Sequence, residues 1–362
     1  IDVKQNPLYE NEEFAYLDTH YYGGIKKYQW VTIPLAIHGV IVKKDGTVVN
    51  VNIGEKDEDP VFVITDLLIH LASKQMDKKA AGVVEGENLD LLIGSRPIEQ
   101  DESLEKKEKE AVKANVMNLL KEYYDVEEED FISAELEIVP AGKARDCGFD
   151  RSIVLAYGQD DRVCAFTSLF AILDVEKTER TACCILVDKE EIGSVGATGM
   201  HSRFFENIVA ELVALTEGES DLKVRRALMN STMLSSDVSA AYDPMYAEVF
   251  EKRSSAFFGK GLVFNKFTGS RGKSGSNDAN AEYLAKIRQA MDSQDVSYQF
   301  AELGKVDAGG GGTIAYIMAN YGMEVIDSGV AVLSMHAPWE ATSKADVYEA
   351  YKGYKAFIEE MK

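Results

Sequence analysis

Long apolar runs are missing from this chain. Nowhere in its 362 residues do about 18 apolar side chains follow one another, the length a membrane-spanning helix needs. The opening residues lack the basic start and apolar stretch of a secretory signal. Cysteine is scarce, with four residues, Cys147, Cys164, Cys183 and Cys184, and no CxxC pair or zinc-finger spacing. Such usage fits reduced, buried thiols in a cytoplasmic protein better than a disulfide framework. Basic side chains are in deficit, 39 against 61 acidic ones, for a formal net charge of −22. A field of that sign repels phosphate backbones and anionic lipid, which argues against nucleic-acid and membrane partners. Part of the acid lies in residues 101–130, a run that reads as a solvated helix and loop and speaks of solubility, not function. A methionine at position 1 is also missing. The chain opens on Ile1 and reads as truncated, processed or incomplete.

What is present is enough for two cores. Hydrophobic residues make up 46% of the chain, and 362 residues exceed what one core usually organises. Two domains, or one domain with a large insertion, are expected. Residues 28–52 read as strand, turn, strand about Lys44-Asp45-Gly46, residues 60–70 as a strand or short helix, and residues 107–123 as a charged helix. From about 132 strands and helices alternate. Strands are expected in ISAELEIVPAG, SIVLAYG, TACCILVDK, ALMNSTMLSS, GLVFNKF, SYQFAEL and GVAVLSMH. Helices are expected near 162–173, 203–215 and 279–291, in PMYAEVFEKRSS, and over 344–361, where Val347, Tyr351, Tyr354 and Ile358 recur at helical spacing. This rhythm predicts an α/β fold, a mixed sheet with helices on both faces, joined to a strand-rich part.

In such sheets ligands gather at the carboxyl ends of strands. There the sequence places Asp160 and Asp161 after SIVLAYG, Glu190 and Glu191 after CCILVDK, Asp237 after MNSTMLSS, and His336 after VAVLS. Carboxylates crowded together repel unless a cation joins them, and oxygen with imidazole donors suits a divalent ion such as zinc. One carboxylate can bridge two ions about 3.5–4 Å apart, while a neighbouring carboxylate outside the metal set takes the proton of the attacking water. A Glu-Glu pair can divide those roles. The pattern by itself points to metal-assisted hydrolysis.

GQDDRVCAF, LVDKEEIGSVGATG, STMLSSDVSAAYDP and VLSMHAPWE, in this order, resemble the metal-site motifs of M18 aminopeptidases, the aspartyl aminopeptidase family, and are nearest to its bacterial members. THYYGGIKKYQW at 19–30 is similar to the family's Tyr-Gly-Gly segment. The resemblance runs over essentially the whole chain and implies a zinc-aminopeptidase-like catalytic domain interrupted by a β-rich insertion. It divides the chain into residues 1–25 with 135–362 as the catalytic part and 26–134 as an oligomerisation insertion. By the same resemblance Asp160, rather than Asp161, bridges two metal ions, Glu190 is the general base, and Glu191, Asp237 and His336 are further ligands. His70 resembles a histidine that reaches a neighbouring subunit's active site. Lys266 resembles a substrate-pocket lysine, and Asp307, Gly311 and Thr313 belong to a segment, DAGGGGT, that resembles the family's glycine-rich substrate segment. The implied cofactor is a pair of divalent ions, zinc first, with cobalt or manganese as alternatives. The implied partners are peptide substrates and copies of the chain itself in a dodecamer.

One departure stands out. The family's first metal-ligand histidine falls just before the stretch on which this chain opens, and His20, His38 and His201 match no ligand. A non-catalytic assembly or peptide-binding role therefore stands as the alternative to the peptidase. A phosphate-binding loop in GSRGKSGS at 269–276 fails, because the glycine required five positions before Gly272 is Phe267.

Overall fold

In the strand LAIHGVIV, Leu35, Ile37 and Ile41 turn inward, and the pattern repeats in Leu136 and Ile138 of a second strand beside it. Such period-two burial builds one face of an antiparallel sheet. The structure is a computed structural model and describes residues 1–99, 109–269 and 273–361. Residues 101–108 of the charged run and residues 270–272 of the Gly-Lys-Ser stretch lie outside the described residues.

The chain divides into two units, Ile1–Lys143 and Ala144–Lys362. In the first, β1 (Asp2–Asn11), β2 (Phe14–His20), β3 (Leu35–Val42), β4 (Val48–Ile53), β5 (Leu91–Gly94) and β6 (Ala134–Pro140) form one sheet in the order β4-β3-β6-β1-β2-β5. The β3–β4 turn closes at Gly46, whose φ of +89° is a left-handed value that glycine adopts freely. A short helix α1 (Ser73–Met76) and the longer α2 (Ala111–Tyr124) accompany the sheet, and Val112 and Val116 of α2 enter its core. Residues 1–25 were assigned to the catalytic part on the resemblance; here β1 and β2 pair into this sheet, because Leu8, Ala15 and Leu17 bury in the same core. Residues 60–70 make only isolated bridges at Phe62 and Val63 before a single 3-10 turn over Ile69–Leu71. His70 is exposed on that turn, between Ile69 and Leu71, which are themselves 68% and 69% exposed.

The second unit carries β7 (Arg145–Cys147), β8 (Ile153–Ala156), β9 (Thr232–Ser236), β10 (Ser239–Ala240), β11 (Leu262–Asn265), β12 (Tyr298–Phe300), β13 (Glu324–Gly329), β14 (Ala331–Leu333) and β15 (Glu340–Ser343). They form two sheets, β10-β14-β15-β8-β7 and β12-β11-β13-β9. The second mixes parallel and antiparallel pairs. Its helices are α3 (Gln159–Leu173), α4 (Phe204–Glu217), α5 (Asp221–Met229), α6 (Ala281–Ser293), α7 (Ala315–Ala319) and α8 (Lys344–Glu360). Neighbouring residues of β13 show how both faces are covered. Ile326 packs with α3, α6 and α8, whereas Val325 packs with α5 and α7. The fold is therefore mixed α/β with helices on both faces, as the alternating rhythm predicts.

Three elements differ from the sequence reading. TACCILV (181–187) runs beside β9 but makes no ladder hydrogen bond among the described residues, and a strand exists only where a neighbour's backbone pairs with it. ALMN closes the helix α5 instead of opening a strand, with Ser220 accepting the Lys223 amide at the helix start. PMYAEVFEKRSS forms 3-10 turns rather than a helix.

Asp346, in the first turn of α8, is fully buried, and its carboxylate accepts the amides of Gly259 at 2.8 Å and Gly261 at 2.7 Å. It fixes the loop that feeds β11. Asp346→Ala leaves the buried Gly261 donor unmet and is expected to destabilise the fold by about 1–3 kcal/mol, read as a lower urea midpoint at unchanged slope. An unshifted midpoint would show that the loop holds itself.

Candidate metal centre

The site is assembled from loops that leave β8, β9 and β14, together with the segment after residue 187. Gly158, at φ +71°, turns the chain from β8 into α3 and delivers Asp160. The peptide between Asp160 and Asp161 is cis. Lys189, at φ +67°, precedes Glu190 and Glu191, and His336 itself sits at φ +64°. Left-handed backbone at non-glycine residues is unfavourable by roughly 1–3 kcal/mol and collects at functional sites. Glu340 on β15 is 2% exposed and accepts two amides, Asp160 at 3.0 Å and His336 at 2.7 Å. One buried carboxylate thus holds two loops in register.

Asp160, Glu191 and His336 each present a ligand atom within 4.8 Å of the others. The His336 Nε2 lies 3.3 Å from Asp160 Oδ2 and 3.5 Å from Glu191 Oε1. Asp237 joins the same cavity wall, its amide donating to Ser328 O at 2.9 Å and its Oδ1 accepting the Val238 amide at 2.7 Å. Gly329 allows β13 to pass this residue, since a Cβ there would stand 1.5 Å from the Asp237 carbonyl oxygen. Asp237 keeps a little exposure to the cavity, yet protein atoms crowd it. Burial, then repulsion from Asp160, Asp161 and Glu190, holds its carboxyl well above the usual range. Burial and the Glu191, Asp160 and Asp161 charges push Glu190 up to about 7, and burial likewise raises Glu191. Burial pushes Glu340 up to about 7 against its two amide hydrogen bonds.

Crowded carboxylates with raised pKa values and one imidazole suit a divalent cation, which would relieve their repulsion. The residues present therefore fit a metal such as zinc.

Asp160, Glu190, Glu191, Asp237 and His336 line a cavity of about 510 Å³. Asn265, Gly311, Thr313, Tyr316 and Asp327 line the same cavity. Of the sequence-stated substrate residues, Gly311 and Thr313 are there. Lys266 is not among the lining residues, and its ammonium pairs with Asp278. Asp307 is exposed and outside the lining, and His70 lies in the first unit. Asp161 faces a separate cavity of about 260 Å³ instead. Sequence reasoning missed Glu340, Asp327 and Tyr316, whose hydroxyl lies 3.1 Å from His201 Nε2. Glu340 had a faint signal, four residues after His336 in the MHAPWE stretch; Asp327 inside an apolar strand had none.

Comparison with known proteins finds relatives along nearly the whole chain. The family model described as aminopeptidase I zinc metalloprotease (M18) matches residues 1–358. A probable M18 family aminopeptidase 1 of Clostridium acetobutylicum is 64% identical over 358 residues, covering 99% of this chain and 76% of the relative. The corresponding protein of Thermotoga maritima is 47% identical over 362 residues, covering all of this chain and 78% of the relative. Crystal structures of the aminopeptidase I from Clostridium acetobutylicum and the M18 enzyme from Thermotoga maritima superpose with TM-scores of 0.93 and 0.94, at 63% and 47% identity. Each covers 99% of this chain, against 76% and 78% of its own. The yeast mApe1 dodecamer, at 21% identity, 98% of this chain, 76% of its own and TM-score 0.73, shows the fold alone. This chain belongs to the M18 family of zinc metalloaminopeptidases.

Proposed function

We propose that this chain releases N-terminal residues from peptides, with Asp160, Glu191, Asp237 and His336 holding two divalent ions and Glu190 acting as general base. The observation that carries the reading is the convergence of Asp160, Glu191 and His336 within 4.8 Å. When bound, such ions acidify a water and polarise the scissile carbonyl. Asp160 would be the ligand shared by the two ions, and Glu340 accepts its backbone amide at 3.0 Å. Glu190 receives a proton from the attacking water as oxygen bonds to the carbonyl carbon, and returns it to the amine nitrogen as the C–N bond breaks. Gly311 and Thr313, in the lining of the same cavity, offer a small-residue wall along which peptide backbone can lie close.

The first unit serves assembly in this reading. Leu67, Leu68, Ile69 and Leu71, all exposed around His70, form an apolar strip suited to burial against another copy, which supports a homo-oligomer. A cytoplasmic setting is supported by four cysteines that stand free. No helix among the described residues is long and apolar enough to cross a membrane.

The test is release from a panel of chromogenic aminoacyl substrates with added zinc, cobalt or manganese, and with chelator. Metal-dependent release that chelator abolishes is the expected result. An assembled chain that releases nothing with any metal would favour the non-catalytic alternative.

A further inference from the structure

The cavity lining includes a carboxylate that the chemistry above does not use. Asp327 sits mid-strand in β13, opposite Ser235 of β9 and Asn265 of β11, and is 4% exposed. Neither of its carboxylate oxygens has a hydrogen-bond partner among the described residues, and the Ser235 hydroxyl is equally unmet. Burial pushes Asp327 up to about 6, restrained by the nearby Thr313 and Ser235 hydroxyls, which approach it without reaching hydrogen-bond geometry. An orphaned buried carboxylate is unfavourable and calls for a reason.

The glycine-rich segment supplies one. Its first part is fastened down. The Gly309 amide donates to Lys305 O, and the Gly269 amide to Gly311 O, both at 2.7 Å. Gly309 also packs so tightly that a Cβ would stand 1.9 Å from Leu303 O. Beyond that point Gly312 is exposed, and no atom of the described residues comes within 4 Å of its Cβ position. Thr313 follows, beside Asp327 in the same cavity.

We propose that Asp327 is a positioning residue: when a peptide occupies the cavity, its carboxylate accepts the Thr313 hydroxyl and fixes the Gly310–Thr313 segment against the peptide backbone. The inference rests on the peptidase reading for its substrate. Asp327 touches no reacting atom; it acts through Thr313. A carboxylate that bound a cationic substrate side chain directly is the competing use of the same group.

Steady-state kinetics on the full chain with zinc, using leucyl, lysyl and glutamyl chromogenic substrates, separates these. Asp327→Ala and Thr313→Val are each expected to raise KM about tenfold on all three, as for one lost charge-assisted hydrogen bond, with a smaller change in kcat and unchanged zinc per chain. The double variant should be no worse than either single one. Asp327→Asn, which keeps an acceptor oxygen, should recover most of the loss. Effects that multiply in the double variant, or an effect confined to the lysyl substrate, would overturn the proposal. A second readout is independent of turnover: hydrogen exchange of residues 309–314, with and without leucinamide. Protection on adding leucinamide that disappears in Asp327→Ala supports the proposal even if no substrate is cleaved, in which case only the peptidase reading falls. Protection that survives the substitution overturns it.

Discussion

Glu190→Gln is expected to keep its metal and lose its turnover. Glutamine has nearly the same shape as glutamate, so the segment after Lys189 should hold its left-handed start. Among the described residues the ligand atoms that gather within 4.8 Å belong to Asp160, Glu191 and His336, and Glu190, like Asp237, is outside that set. Removing its charge takes away one of the repulsions that raise Asp237, so affinity for cations should not fall on that account. What glutamine cannot do is accept a proton. General-base catalysis is worth about 10²–10⁴ in rate, and kcat should drop by that factor while KM stays near its starting value. Zinc content by elemental analysis, measured on the same preparation, separates loss of the base from loss of the metal. Near-normal rates in this variant would move the base elsewhere.

Asp160→Asn should act on the metal instead. The side chain lies 3.3 Å from the His336 imidazole, and its amide is held by Glu340. The variant keeps the backbone bond and loses the charge. If Asp160 bridges, both ions lose a ligand at once, so occupancy of both should fall together. The decline should exceed the roughly 10–100-fold that removal of an outer hydrogen-bond partner brings. Elemental analysis after dialysis against graded chelator reads the outcome. One ion retained at full occupancy while the other leaves would contradict bridging.

How much of this was legible before the structure depends on the kind of signal. β11 and α8 were readable because their signals are local: β11 is a short apolar run buried throughout, and Asp346, Ala350 and Tyr354 bury at helical spacing along α8. The ends of β8, β9 and β14 were readable for the same reason, and with them the carboxylates and the imidazole just beyond. TACCILV carries the composition of a buried strand, yet pairing is a property of neighbours, and a sequence cannot state which neighbour is there. The membership of β1 and β2 in the first unit's sheet is non-local in the same sense, decided by Leu8 and Leu17 finding a shared core. Lys266, a substrate-pocket lysine by resemblance, pairs with Asp278 at the surface and is not among the residues that line the cavity. Asp327 was invisible because a lone acid in an apolar strand looks like noise until its depth is known.

Glu340 changes what it would mean to copy this centre. Transplanted onto another scaffold, Asp160, Glu191, Asp237 and His336 would bring donors without orientation, since two of those four loops take their position from a side chain that binds nothing itself. A designer would have to carry the edge-to-edge pairing of β15 with β8 and β14 along with the donors, and keep that glutamate dry. The unit of inheritance here is a braced frame, and its keystone is a residue that a search for metal-binding side chains would leave behind.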